Sequence, residues 1–271
     1  SSAVRGFPAH VGDVNDPWCP AGRNGRYRRR MQWCARGSRV GVVLGFVAVL
    51  SLLAGCSDDA QPTADGDRLT IDLGDGDLVS YLESLPAEDQ PGSPTVEGGV
   101  PADVPVVFLH GGAYDASVWD ELGLLDEVAA TGHRAVAIDL PGKGESSGEQ
   151  NPEWLGAALD ALDIEAAVLV SPSASGPVAL GLLAEEPERV TGFVPVAPVG
   201  GADFEWAGGR APETVVVLGE QDSGFNGSTR ELADEIPGAE LVVIPGAGHA
   251  AYEDDPAAFL EAMQPLLGSG V

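Results

Sequence analysis

From residue 104 onward, short mainly apolar runs alternate with stretches in which apolar residues return every three or four positions. The runs fall at residues 104–109, 134–138, 166–170, 189–196, 214–218 and 240–244. Runs of this length without polar alternation suit strands buried on both faces of a sheet. Between them, residues 115–130 place Val118, Leu122, Leu125 and Ala129 at i, i+4, i+7 and i+11, one apolar face of a helix that Gly132 ends. Residues 152–161, 176–186, 229–235 and 255–267 carry further helical patterns. Strands and helices in turn predict an α/β fold, a mostly parallel twisted sheet with helices on both faces. Upstream, residues 68–73 and 77–85 flank Gly74-Asp75-Gly76 and predict an antiparallel hairpin. There is no internal repeat, and one domain is expected over residues 68–271.

The chain before this domain follows other rules. Residues 1–30 hold Arg23, Arg26, Arg28, Arg29 and Arg30 without periodic pattern and read as a disordered leader or an upstream extension. Residues 31–55 read as a signal peptide: Arg36 and Arg39 precede an apolar stretch, residues 40–54, shorter than the ~20 residues of a membrane span. The stretch closes in Leu53-Ala54-Gly55-Cys56, which resembles the lipobox of bacterial lipoproteins. That resemblance implies a lipid on the Cys56 thiol and cleavage just before it. An ordinary secretory signal and an uncleaved short anchor are the competing readings. Residues 56–67, polar and acidic, read as a flexible tether. Cys19 and Cys34 lie ahead of the cut, so Cys56 alone would remain, leaving neither an internal disulfide nor a catalytic thiol.

Charge narrows the choice of partner. The chain holds 14 Lys and Arg against 42 Asp and Glu, a net charge of −28. Eight of the basic and two of the acidic residues precede Cys56, so the remainder carries 6 against 40, a net of −34. Such a surface repels nucleic acid and anionic lipid headgroups, and no nucleic-acid partner is expected.

Chemistry concentrates around residues 166–186. The apolar run 166–170 ends in Ser171-Pro172-Ser173-Ala174-Ser175, and a helical pattern follows at once. A strand, a sharp turn with serine at its apex and a helix make the geometry of a nucleophile elbow. The apex is strained, so the residues two away on each side must be small. Serine stands at both flanks where glycine is usual, which makes Ser173 the apex. Ser175 is also placed to cap the helix, with Pro177 in its first turn. A polar strand-to-helix loop is the plain alternative. After the run 104–109, His110-Gly111-Gly112 is placed to supply half of an oxyanion hole from the Gly112 N–H, with the Ala174 N–H as the other donor. His110 reads as a brace for this loop. Residues 139–146 shape a turn, and Asp139 is assigned no chemistry.

A serine nucleophile needs a base, and the base needs an acid to orient it. Asp222 follows the run 214–218 and His249 follows 240–244, in the chain order serine, acid, histidine. In so acidic a chain a lone loop carboxylate is ordinarily only solvated; its position after a strand reverses that for Asp222. Glu220 is the next candidate and Asp203 the third. His133 sits at a helix end. With no metal cluster, phosphate loop or dinucleotide fingerprint, no metal and no cofactor are expected.

Together these segments resemble the α/β-hydrolase superfamily and, within it, the α/β-hydrolase-domain-containing protein 14 group. The resemblance runs through most of residues 104–267. It rests on SPSxSG at the elbow, GFVPVAP at 192–198, GEQD at 219–222, GAGH at 246–249 with Tyr252 and Asp255-Pro256 after it, RAVAIDLPG at 134–142, and Trp119 beyond HGG. It implies an α/β-hydrolase fold with minimal or no cap, and it places the family triad on Ser173, Asp222 and His249. That family is linked to small-ester hydrolysis and to acetyl transfer from lysine to coenzyme A. The expectation is a serine hydrolase cleaving short acyl esters or amides through an acyl-enzyme, lipid-anchored to the cell membrane and facing outside the cytoplasm. Coenzyme A is not expected there, so water is the default acceptor. A catalytically silent binding lipoprotein on the same fold, and an acyltransferase or perhydrolase using the same triad, are the alternatives. Residues 198–211 are too few for a helical cap. Phe204 and Trp206 within them are candidates for lining a small acyl pocket, or else for loop packing, and acetyl to butyryl groups are the expected substrates.

The lipobox yields a direct test. Cys56→Ala should abolish incorporation of a fatty-acid probe, and unchanged labelling would overturn the assignment.

Overall fold

The computed structural model describes residues 68–74, 76–87 and 100–268. The leader, the signal peptide, the tether and Cys56 lie outside the described residues. Eight strands form one sheet: β1 (Leu69–Asp72), β2 (Leu78–Ser84), β3 (Val106–Phe108), β4 (Ala135–Ile138), β5 (Ala167–Pro172), β6 (Val190–Val196), β7 (Glu213–Gly219) and β8 (Glu240–Ile244). Their order is β1-β2-β4-β3-β5-β6-β7-β8. The strands from β3 to β8 pair in parallel. β2 is antiparallel to both β1 and β4, so it alone runs against the rest. The chain has the α/β-hydrolase fold.

The apolar runs become strands because both sheet faces are covered. Residues of β3, β4 and β5 are buried throughout. Successive side chains point to opposite faces. Val106 and Phe108 join one core layer with Trp119, Val128, Phe259 and Met263, while Val107 and Leu109 join the other with Leu155, Leu159, Leu182 and Leu232. The helices supplying these layers are α1 (Ser117–Glu121), α2 (Leu124–Ala130), α3 (Pro152–Ala161), α4 (Gly176–Glu185), α5 (Asn226–Glu235), α6 (Ala251–Asp254) and α7 (Pro256–Leu267). No helix among the described residues is long and apolar enough to cross a membrane.

Two differences from the sequence pattern have local causes. The single helix expected over residues 115–130 is two, broken at Gly123, whose φ of +72° turns the chain. The apolar spacing survives the break, since Val118, Leu125 and Ala129 are buried and Leu122 is half-buried. α6 was not foreseen, because four residues are too few to display a helical period.

A buried carboxylate ties the hairpin to the parallel sheet. Asp139, just after β4, is fully buried. Its Oδ1 accepts from the Ala116 N–H at 2.8 Å, and its Oδ2 accepts from Ser80 Oγ at 2.7 Å and from Arg68 at 3.1 Å. The reading of Asp139 as a loop-shaping residue holds. Removing it leaves the buried Ala116 N–H without its acceptor and takes a carboxylate from Ser80 and Arg68, of which Arg68 keeps Asp115 at 3.2 Å. Asp139→Ala should therefore cost about 3 kcal/mol, at the low end for a buried pair because Arg68 is partly exposed. Thermal denaturation should show a Tm lower by roughly 6–12 °C; an unchanged Tm would contradict this network.

Candidate active site

β5 delivers Ser173 at its carboxyl end. The residue has φ +49°, a left-handed backbone that a non-glycine residue adopts at a cost of about 1 kcal/mol or more. A short 3₁₀ turn, Ser173–Ser175, then leads into α4. Two neighbours hold this bend. The Val199 N–H donates to the Ser173 carbonyl at 2.9 Å. A side chain at Gly176 would lie 2.3 Å from the Val199 carbonyl oxygen, so glycine is required where helix and loop close on each other. Ser171 and Ser175 are fully buried with their hydroxyl oxygens 3.0 Å apart, and Ser175 Oγ donates to the Pro172 carbonyl at 2.9 Å. The expected capping role of the Ser175 hydroxyl is therefore corrected: its proton goes back to the strand, and it makes no side-chain cap to α4.

The loops after β7 and β8 are built as a pair. A side chain at Gly219 would lie 1.9 Å from the Gly248 carbonyl oxygen, so the two backbones are in direct contact. The Glu220 N–H donates to Ile244 O at 3.0 Å and the Gln221 N–H to Ala247 O at 2.8 Å. Asp222 is buried at 6 % exposure, and its Oδ1 accepts from the Gly224 and Phe225 N–H groups at 3.1 and 3.2 Å. Its Oδ2 lies 2.7 Å from His249 Nδ1. On the other side of the ring, His249 Nε2 lies 2.8 Å from Ser173 Oγ. Phe225 stacks on the imidazole with centroids 4.5 Å apart. Thus the structure brings Ser173, His249 and Asp222 into one hydrogen-bonded line. Glu220 instead accepts from the Gly246 N–H at 2.8 Å, bracing the loop, and Asp203 stands exposed in the turn Gly201–Asp203.

The two other described histidines are structural. The Leu140 N–H donates to His110 Nε2 at 2.9 Å, so the ring proton sits on Nδ1, 2.9 Å from Gly111 O. Burial pushes the His110 pKa down, which keeps the ring neutral as this pairing demands. His110 thereby joins the loop after β3 to the loop after β4. The ring nitrogens of His133 lie 2.8 Å from Val104 O and 3.1 Å from Leu267 O. Gly112 and Ala174 adjoin: a methyl on Gly112 would sit 3.3 Å from Ala174 Cβ.

Two residues beside Ser173 escaped sequence reasoning as site residues. Tyr114 Oη donates to the Glu253 carboxylate, bridging the loop after β3 to α6. Burial, with Glu253 adding to it, pushes the Tyr114 phenol well above its ordinary range. Tyr252 is 2 % exposed, its ring 4.6 Å from Trp119 and 6.0 Å from Tyr114, and its hydroxyl faces Gly111. Its place three residues after His249 was the only signal. Phe204 and Trp206, offered as acyl-pocket residues, pack against the core layer of α4 and α5, and the Trp206 N–H donates to Glu235 at 2.8 Å. The packing alternative is the correct one. A cavity of about 640 Å³ lined by Val190, Thr191, Arg210 and Glu213 lies at the amino ends of β6 and β7, away from Ser173.

Comparison with known proteins gives consistent results. A family model described as alpha/beta hydrolase fold matches residues 104–207. Protein ABHD14A of Danio rerio is 36% identical over 171 residues, 60% of this chain and 63% of that protein, so the chain spans under two thirds of that relative. ABHD14B of Homo sapiens is 34% identical over 192 residues, covering 67% of this chain and 86% of that protein. Among solved structures, a CIB-like hydrolase from Thermoplasma acidophilum matches with a TM-score of 0.58 and 21% identity, over 72% of this chain and 93% of that chain, a likeness of fold.

The strained apex can be tested through stability. Ser173→Ala and Ser173→Gly both remove the hydroxyl, but only glycine relieves the left-handed strain. The glycine variant should be more stable than the alanine variant by about 1 kcal/mol in denaturant titration. Equal stabilities would show that the bend at Ser173 carries no strain.

Proposed function

The chain belongs to the α/β-hydrolase family, and from that premise we propose that it is a serine hydrolase cleaving short acyl esters or amides. One observation carries the reading: Asp222, His249 and Ser173 stand in a continuous line of contacts of 2.7 and 2.8 Å. In the proposed mechanism, Ser173 Oγ attacks the substrate carbonyl while His249 Nε2 takes its proton. Asp222 holds the Nδ1–H and stabilises the imidazolium that forms. The N–H groups of Gly112 and Ala174 receive the oxyanion. The tetrahedral adduct collapses, His249 protonates the leaving alcohol or amine, and an acyl group remains on Ser173. Water then attacks this ester with His249 again as base, releasing the acid and restoring the serine. Phe225 restrains the ring that must serve both half-reactions.

ABHD14B bears the name of a protein-lysine deacylase, and deacylation of an amine is the amide branch of this chemistry. Anchoring to a membrane through Cys56, outside the cytoplasm, belongs to the same proposal and is supported by residues 53–56. An acceptor other than water would enter at the second half-reaction and use the same three residues.

The test compares three serines within five residues. Ser173→Ala should lose labelling by a fluorophosphonate probe and reduce ester turnover by on the order of 10⁶. Ser171→Ala and Ser175→Ala should keep measurable turnover while losing about 1 and about 2 kcal/mol of stability, since the first removes one buried hydrogen bond and the second removes two. A trapped adduct in Ser173→Ala, read by intact mass, would refute the assignment. So would a wild-type chain that neither labels nor hydrolyses, which is the behaviour of a silent fold.

A further inference from the structure

We infer that Asp254 is a positioning residue for the base: its carboxylate holds the backbone that carries His249 and so keeps the imidazole between Asp222 and Ser173. The inference rests on the serine-hydrolase reading of Ser173.

Burial does little to fix this ring. The His249 side chain is 40% exposed. Phe225 stacks on it, and its two nitrogens meet Asp222 and Ser173. The contact with Ser173 Oγ must be given up and remade in each half-reaction. The strand before it gives limited support, since β8 pairs only with β7. The place of the ring therefore depends on the backbone from which it projects.

That backbone is gripped at Gly248. The Gly248 N–H donates to Asp254 Oδ2 at 2.7 Å, a bond strengthened by the charge of its acceptor. The Gly248 carbonyl oxygen lies against Gly219, where a Cβ would come within 1.9 Å of it. The two peptides that meet at Gly248 are thus held, one by a carboxylate and one by close contact, immediately before the base. Glu220 braces the same loop earlier, at the Gly246 N–H.

Asp254 can hold the loop because α6 is itself fixed. Ala251 and Tyr252 are buried in the core layer of Trp119 and Phe259. Glu253 accepts from Tyr114. The Asp254 N–H donates to Ala250 O at 3.1 Å. Three successive residues of α6 thus reach three different places: Tyr252 the core, Glu253 the loop after β3, and Asp254 the loop of the histidine.

The test measures kcat and KM on p-nitrophenyl acetate, well below the unfolding temperature, for the full wild-type chain, Asp254→Ala, Asp254→Asn and Asp255→Ala. Asp254→Ala should lower kcat by roughly tenfold to a hundredfold, the cost of displacing a reacting group by up to about 1 Å. KM should stay within about twofold, because the substrate touches neither Asp254 nor Gly248. Asp254→Asn keeps an oxygen for the Gly248 N–H and should recover kcat to within about threefold of wild type. Asp255 makes the same kind of bond, accepting from the Ala258 N–H at 3.0 Å, but it caps α7. Asp255→Ala should lower the Tm and leave kcat within about twofold. A merely structural Asp254 would behave like Asp255, so a lowered Tm with unmoved kcat in Asp254→Ala overturns the inference. So does an Asp254→Asn variant as slow as Asp254→Ala. Should Asp254→Ala fail to fold, Asp254→Ser, polar but too short for the bond, takes its place with the same expected loss. A wild type that neither hydrolyses the ester nor forms an adduct on Ser173 defeats the serine-hydrolase reading and this inference with it; an active wild type with undiminished Asp254 variants defeats this inference alone.

Discussion

A serine held at φ +49° survives only where its surroundings leave the backbone no alternative. Here the surroundings are the sheet. β5 lies between β3 and β6 and is buried along its whole length, so the strand cannot shift to relax its end. Beyond the apex, the loop after β6 grips the Ser173 carbonyl through Val199, and Gly176 lets helix and loop touch. Burial of apolar strands supplies the stability that offsets a local strain of this size. The result is a hydroxyl lifted clear of the sheet edge, aimed at a histidine that follows β8, three strands further along the sheet.

The same economy of backbone contact governs Asp222 and His249. Asp222 and His249 are separated by a strand and a helix in sequence, yet their loops are in contact at Gly219 and Gly248 and share two backbone hydrogen bonds. Buried polar groups elsewhere do comparable work at a distance. His110 and Asp139 each join loops at the carboxyl ends of β3 and β4, one through a neutral ring and one through a fully occupied carboxylate. Neither faces Ser173 in a hydrogen bond. Buried polar residues thus fix the loops, while the imidazole of His249 stands exposed beside Ser173.

What the sequence disclosed follows from what each signal needs. β8 and α3 stand where the pattern put them, because an apolar run or a helical face is a local property of consecutive residues. Ser173, Asp222 and His249 were legible because each is tied to the end of such a run. Contacts between distant segments were not. The Tyr114 bridge to Glu253 joins residues far apart in the chain, and nothing in either segment announces the other. Ser175 looked like a cap because its position allows one, but its partner was decided by Pro172 and Ser171 behind it. Phe204 and Trp206 looked like pocket residues because large aromatics in a short loop near a site invite that reading; the sides of α4 and α5 claimed them. Tyr252 registered only as part of a family resemblance, since its packing on Trp119 and its approach to Gly111 exist only in the folded chain.

β8, which carries the histidine, is the last strand of the sheet and pairs only with β7. Most of its residues are no more than half-buried. A border strand bonded on one side opens more readily than the centre of the sheet, and local opening of this kind precedes global unfolding. His249 follows this border strand, whereas Ser173 follows β5 near the centre of the sheet. On the proposed function, loss of this border would silence the chemistry while the centre of the sheet is still closed.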